Sequence, residues 1–178
     1  MEHIRITTRP LLATKKRRMA FQRLIFAAIA LFAASVLSSA SYAQSGPFVG
    51  MAGAWSGGGT VTLEDGSAER IRCRATYAVG DNGTGLNQNL TCASDSYKFD
   101  LRSNVVASAG SLSGTWSEAS RGVSGSLAGR GSSGNFQVVA SAPGFNANIS
   151  LTTRGNRQSV VIRAESQFRG ASISLSRS

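Results

Sequence analysis

The sequence predicts an all-β protein: an antiparallel up-and-down meander that closes into a small soluble β-barrel of about eight to ten strands. Three observations carry this prediction. Turn-forming residues recur about every ten to fifteen positions after Gly50, apolar and polar residues alternate between the turns, and no long stretch keeps a helical period. Alternation of this kind turns one face of each strand to a core and the other to water. Closure of the meander would remove exposed sheet edges, which favours a barrel over an open sheet.

The first two strands are separated by the turn residues Glu64–Ser67. The second strand, over 68–79, shows the alternation most clearly. Its two faces are apolar (Ile71, Cys73, Ala75, Tyr77, Val79) and polar (Arg70, Arg72, Arg74, Thr76). We therefore expect the first set to lie inside the barrel and the second set to lie outside.

Cys73 and Cys92 are the two cysteines of the chain, and a hairpin signal, Asp81-Asn82-Gly83-Thr84, lies midway between them. A four-residue loop there makes Gly80 and Gly85 the closing pair and sets the cysteines directly opposite each other. Counting back along the ladder places them at a non-hydrogen-bonded pair, where the two Cα atoms come within about 4.5 Å. The sequence thus predicts a structural disulfide rather than a redox pair, which needs a closer spacing.

The rest of the chain continues the alternation up to Leu175, with turns near Gly110, Gly122, Gly134, Gly144 and Gly155. Glycines also fall on the apolar side of their strands, at 57, 59, 114 and 125. Inward glycines either allow sharp bends at barrel corners or leave space for a ligand, and the sequence leaves both readings open.

The first 43 residues have the pattern of a secretory signal peptide. Basic residues Lys15–Arg18 and Arg23 precede the apolar run Leu24–Leu37, and small residues follow up to Ala43. We expect cleavage after Ala43, a short linker over 44–49 and one barrel domain over 50–178, with Met19 as an alternative start. The mature protein would be periplasmic or secreted and would not span a membrane.

Charge and composition exclude several functions. Seven of the 19 basic residues and one of the nine acidic residues precede Gln44, so the net charge of the remaining chain is about +4 rather than +10. The high charge of the whole chain therefore does not indicate nucleic-acid binding. The single histidine, His3, lies in the predicted signal peptide, which removes histidine-dependent catalysis and most zinc sites. We expect no enzymatic activity, no metal and no cofactor.

Three residues are candidates for a ligand site at the barrel mouth: Trp55, Trp116 and Glu118. The tryptophans would supply an apolar wall for a small ligand. Glu118 shares the face of Trp116, and no second inward acid accompanies it, which argues against a glycosidase pair.

Arg70, Arg72 and Arg74 form a basic row on the outer face of the second strand. Such a row either contacts an anionic partner, for example an envelope component, or keeps the strand soluble.

Around Gly53-Ala54-Trp55 the chain resembles calycin-type barrels, namely lipocalins, avidins and bacterial inhibitors of secreted metalloproteases. The segments Arg72–Tyr77 and Ser113–Glu118 are similar to a group of small exported bacterial β-barrel proteins of uncharacterised activity. The resemblance implies a meander barrel and, for the inhibitors, one disulfide, but it assigns no activity. Small-ligand binding is the function we expect, and the alternative is a structural or inhibitor-like protein that contacts partners through the basic row.

Overall fold

The computed structural model describes residues 46–165 and 168–178. These residues form ten β-strands joined by short turns. In chain order the strands are β1 (Gly53–Leu63), β2 (Ala68–Gly80), β3 (Gly85–Ala93), β4 (Lys98–Ser108), β5 (Ser111–Glu118), β6 (Val123–Ser132), β7 (Asn135–Ala142), β8 (Phe145–Arg154), β9 (Arg157–Ala164) and β10 (Phe168–Arg177).

Each strand pairs antiparallel with its chain neighbours, and β1 also pairs with β10, so the sheet closes on itself. The predicted meander barrel is confirmed, with ten strands. Closure gives the last strand the same kind of hydrogen-bonded partner as every other strand.

The predicted alternation holds in three dimensions. Along β2 the inward residues Ile71, Cys73, Ala75 and Tyr77 are buried, whereas the arginines between them are exposed. All nine aromatic side chains of the described residues belong to the core or pack against it. The outer faces are mainly polar, with hydroxyl and amide pairs between strands such as Asn104 to Asn87 at 2.9 Å.

The hairpin between β2 and β3 has the predicted register: Gly80 pairs with Gly85, and Cys73 pairs with Cys92. Asn82 and Gly83 both take positive φ (56° and 90°), the backbone conformation that Asn and Gly tolerate best. The two cysteines form the predicted disulfide inside the barrel, with Cα atoms 4.1 Å apart. That separation belongs to the narrow type of antiparallel pair, as expected.

Inward glycines bring adjacent backbones into close contact. A Cβ atom at Gly57 would lie 2.1 Å from the carbonyl oxygen of Ser174, and one at Gly59 would lie 1.9 Å from that of Ser172. Any side chain would force β1 away from β10, so these glycines permit a tight bend where the barrel closes.

The two ends of the barrel differ. At the end where β1 begins, residues 46–51 form a plug: Phe48 and Met51 are both 2% exposed, and the Phe48 ring stacks on Phe136 at 5.4 Å. The plug is held by backbone hydrogen bonds from Gly46 to Asn82 (2.8 Å) and from Phe48 to Gly83 (3.1 Å). The segment predicted as a linker over 44–49 is thus, from Gly46 onward, packed against the barrel, because Phe48 has an apolar interior to fill. We call the opposite end the mouth.

The predicted signal peptide and its cleavage site lie outside the described residues. Within 46–165 and 168–178, no helix has the length and apolarity needed to cross a membrane.

Candidate functional site

A cavity of about 490 Å³ lies inside the barrel, between the plug and the mouth. Phe48 and Met51 form its floor, and Tyr97, Phe145 and Phe168 lie around its mouth. The walls between them are mostly aliphatic and aromatic.

The cavity is eccentric. Side chains lining it from β7, β8 and β9, such as Val138, Ile149 and Ile162, are half-buried although they lie inside the barrel. Across the barrel, Ile71 of β2 is almost completely buried and is not among the described lining residues. The interior is therefore tightly packed beside the disulfide and hollow along β7–β9.

The structure separates the three residues predicted to bind a ligand. Trp116 and Glu118, both on β5, line the cavity. Trp55 lies at the plug end and is not among the described lining residues. It is 1% exposed, its Nε1 donates to the Met51 carbonyl oxygen at 2.8 Å, and the Arg177 guanidinium lies 4.5 Å above its ring. Its contacts therefore anchor the plug to β1.

Trp116 packs against Phe145, with ring centres 5.4 Å apart, and is 7% exposed. Its Nε1 is buried and has no hydrogen-bond partner in the described part of the chain. A buried donor without an acceptor costs roughly 1–3 kcal/mol, and native proteins leave few of them.

Glu118 ends β5 at the mouth and organises the following turn. Its carboxylate accepts backbone N–H bonds from Asp100 (2.8 Å), Ser120 (3.0 Å) and Arg121 (2.7 Å), and the Arg121 guanidinium lies 3.6 Å away. Burial disfavours the ionised form, but the three backbone hydrogen bonds outweigh burial and lower the pKa of Glu118 below its ordinary value. The carboxylate is therefore ionised and engaged at neutral pH.

The rim of the mouth is aromatic. Tyr97 stacks on Phe168 with ring centres 6.2 Å apart, and the Arg121 guanidinium lies 4.5 Å above the Tyr97 ring. Burial raises the pKa of the Tyr97 hydroxyl, and the nearby Arg121 charge opposes this shift in part. The hydroxyl is thus neutral at physiological pH. Arg121 is the basic side chain among the described lining residues, and it places a positive charge at the mouth.

Sequence reasoning missed the polar side chains inside the barrel. The Tyr77 hydroxyl donates to Gln158 at 2.7 Å, and the Gln158 amide donates to Thr153 at 3.0 Å, so a hydrogen-bonded chain crosses from β2 to β8. Burial raises the pKa of Tyr77 far above its ordinary value, although the bond to Gln158 opposes the shift. A polar residue on an otherwise apolar strand face, such as Gln158 two positions before Val160, was the available signal.

A second polar group lies across three adjacent strands on the cavity wall. Gln88, Ser103 and Trp116 pair in register on β3, β4 and β5, and the Ser103 hydroxyl donates to Gln88 at 3.0 Å. Gln88 and Ser103 also line the cavity. Together the three residues form an inner polar row in an apolar wall.

The basic row is outside, as predicted. Arg70, Arg72 and Arg74 are exposed on β2, and the salt bridge found among the described residues joins other side chains. The same outer face continues onto β4, where Lys98 lies in register with Arg72 across β3.

No group of three or more His, Cys, Asp or Glu side chains in the described ranges is placed to hold a metal ion. No protein-family model matches the sequence, and no curated protein is significantly similar to it. Function must therefore be argued from the barrel itself.

Proposed function

We propose that this protein is an exported, soluble and non-catalytic barrel that holds a small apolar ligand. The observation that carries the proposal is the interior cavity of about 490 Å³ with mostly apolar walls. Its volume lies within the ~300–1,000 Å³ typical of small-molecule sites, which combine apolar walls with a few polar groups.

The shape of the interior supports this proposal. A barrel that served only as a scaffold would fill its interior, because unfilled space forfeits packing energy. Here one wall is packed, while half-buried Val138, Ile149 and Ile162 border open space on the other. The aromatic rim around Tyr97 gives that space an apolar entrance.

The chemistry of the wall supports binding without catalysis. Among the described lining residues, Glu118 is the one carboxylate, and three backbone N–H groups already engage it. General acid–base catalysis needs a group free to exchange a proton with substrate. Export and a periplasmic or extracellular location are part of the proposal, and the disulfide supports them because such bonds persist in oxidising compartments.

The test uses neighbouring valines that face opposite ways. Val138 lines the cavity, whereas Val139 is 41% exposed on the outer face. We expect a neutral apolar fluorophore, N-phenyl-1-naphthylamine, to bind saturably. Val138→Phe should weaken binding about 5- to 150-fold, the equivalent of ~1–3 kcal/mol of overpacking, and Val139→Phe should not.

A second pair of neighbouring valines shows whether lost binding reflects a filled cavity or a misfolded variant. Val105 lines the cavity, whereas Val106 is 52% exposed. Val105→Phe and Val106→Phe should repeat the result in variants whose circular dichroism matches the wild type. Absence of saturable binding, or equal effects of inner and outer substitutions, would refute the proposal.

The outer basic face supports an alternative, interaction with an anionic protein or envelope polymer, including an inhibitor-like role. Arg70, Arg72 and Arg74 follow one another at about 7 Å intervals without salt-bridge partners among the described residues, with Lys98 nearby. The triple substitution to Ser should abolish salt-sensitive capture of an anionic polymer and leave fluorophore binding intact. Capture that survives the triple substitution would exclude the alternative.

A further inference from the structure

The inference rests on the proposed function and concerns the chemistry of the ligand. Trp116 lines the cavity and is 93% buried, and its Nε1 has no hydrogen-bond partner among the described residues. Trp55, the other tryptophan, has an acceptor for its own Nε1 in the Met51 carbonyl oxygen. One buried indole N–H is therefore satisfied within the protein, and the other is not.

The position of the Trp116 indole depends on Gly125, its partner on β6. A Cβ atom at Gly125 would lie 2.9 Å from Trp116 Nε1 and 1.9 Å from the Ser141 carbonyl oxygen. Only glycine lets the nitrogen edge of the ring rest on the bare backbone of β6. The donor is thus covered by backbone, and it reaches the cavity only if the ring turns about its Cβ–Cγ bond.

Aromatic and polar groups of the cavity lie next to the indole. Phe145, the aromatic neighbour of the indole, is half-buried and lines the same cavity. The inner polar row continues from Trp116 to Ser103 and Gln88 on the adjacent strands. A ligand oxygen at this level of the cavity would meet polar groups from three strands, whereas the rest of the wall is mostly apolar.

We infer that the ligand is an apolar molecule carrying a hydrogen-bond acceptor, a carbonyl or ether oxygen, and that Trp116 Nε1 donates to it after the indole turns toward the cavity. The bond removes the cost of the unpaired donor, so binding is favoured specifically for ligands with an oxygen at that depth. Ser103 and Gln88 flank that oxygen from the adjacent strands.

The test compares two ligands of nearly equal shape, 2-acetylnaphthalene and 2-ethylnaphthalene, in which a C=O replaces a CH₂. Their Kd values are measured by displacement of N-phenyl-1-naphthylamine from the wild type, Trp116→Phe and Trp55→Phe. We expect Trp116→Phe to weaken ketone binding about 5- to 10-fold relative to the hydrocarbon, which is the size of one hydrogen bond. Trp55→Phe should leave that ratio unchanged.

A second measurement needs no substitution. The mature chain has two tryptophans, so its ¹⁵N spectrum should contain two indole signals. The ketone should shift the Trp116 N–H signal downfield, the hydrocarbon should not, and the Trp55 signal should stay in place.

Equal losses for ketone and hydrocarbon in Trp116→Phe, together with an unmoved Trp116 signal, would overturn the inference while leaving the proposed function intact. If neither compound nor the fluorophore binds, the proposed function fails and the inference fails with it.

Discussion

The same four-residue pattern, Gly-x-Trp-Ser, occurs in β1 around Trp55 and in β5 around Trp116, and the barrel uses the two copies differently. Trp55 is sealed under the plug, with its N–H bonded to Met51. Trp116 borders the cavity with its N–H unsatisfied by the described residues. The local sequence places each indole inside, and the long-range packing then differs: Arg177 lies over Trp55, whereas Phe145 packs against Trp116.

The two ends of the barrel repeat this contrast. An arginine guanidinium lies 4.5 Å above an aromatic ring at each end, Arg177 over Trp55 and Arg121 over Tyr97. Arg177 also donates to the backbone carbonyls of Gly50 and Ala52, so it holds the end of the plug against β10. Arg121 belongs instead to a turn at the rim. The plug end is therefore fastened by contacts between β10 and residues 50–52, whereas the mouth is organised by the turn that follows β5.

Truncation of each tryptophan tests most directly whether the two indoles lie in different surroundings. Trp55→Ala should lower the free energy of unfolding by about 3–5 kcal/mol, because a fully packed aromatic is removed. Trp116→Ala should cost clearly less, because its side chain already borders open space and its N–H is unpaired. Urea unfolding of both variants gives the difference. Equal losses of stability would contradict the distinction between a tryptophan in packed surroundings and one beside a cavity.

Removal of the disulfide tests the packed wall. Cys73→Ser combined with Cys92→Ser should lower stability by roughly 3 kcal/mol, since the bridge closes a short loop and restricts the unfolded chain. Thermal unfolding should show a reduced Tm with an unchanged circular dichroism spectrum. Reductant should destabilise the wild type and leave the double variant unaffected; a double variant as stable as the wild type would disprove a stabilising bridge.

Substitution of Glu118 tests how the mouth is organised, and its expected effect on stability is the smallest of the three. Its pKa is lower in the folded protein than in the unfolded chain, so its ionised form adds stability above pH ~4. That contribution is lost as the pH falls through the folded-state pKa. Glu118→Gln should therefore cost about 1–3 kcal/mol at pH 7 and progressively less in acid.

The measurement is a series of urea titrations from pH 7 down to about pH 3. Glu64→Gln, at an exposed turn of the same end, is the matched control and should change stability little at pH 7. A loss for Glu118→Gln that stays constant with pH would show that shape rather than charge matters at this position.

Much of the architecture was predictable because it follows from local rules. The Asp81–Thr84 turn set the register that places Cys73 opposite Cys92, since a hairpin's register depends on its own loop. The exposed arginines of β2 followed from the two-residue period of a strand. The inward glycine at 57 was ambiguous, because its role depends on how closely β10 approaches.

The meander, the strand faces, the hairpin and its disulfide follow from the amino-acid sequence, because each depends on residues close together in the chain. Three features emerge only when the barrel is folded: Phe48 plugs one end, Tyr77 bonds Gln158 across the interior, and space remains along β7–β9. Those outcomes depend on the circumference and stagger of the closed sheet, which determine which inward side chains meet across the barrel. Of the two Gly-x-Trp-Ser patterns, the Trp55 indole is satisfied by Met51, four residues earlier in the chain, whereas the Trp116 indole meets no acceptor among the described residues.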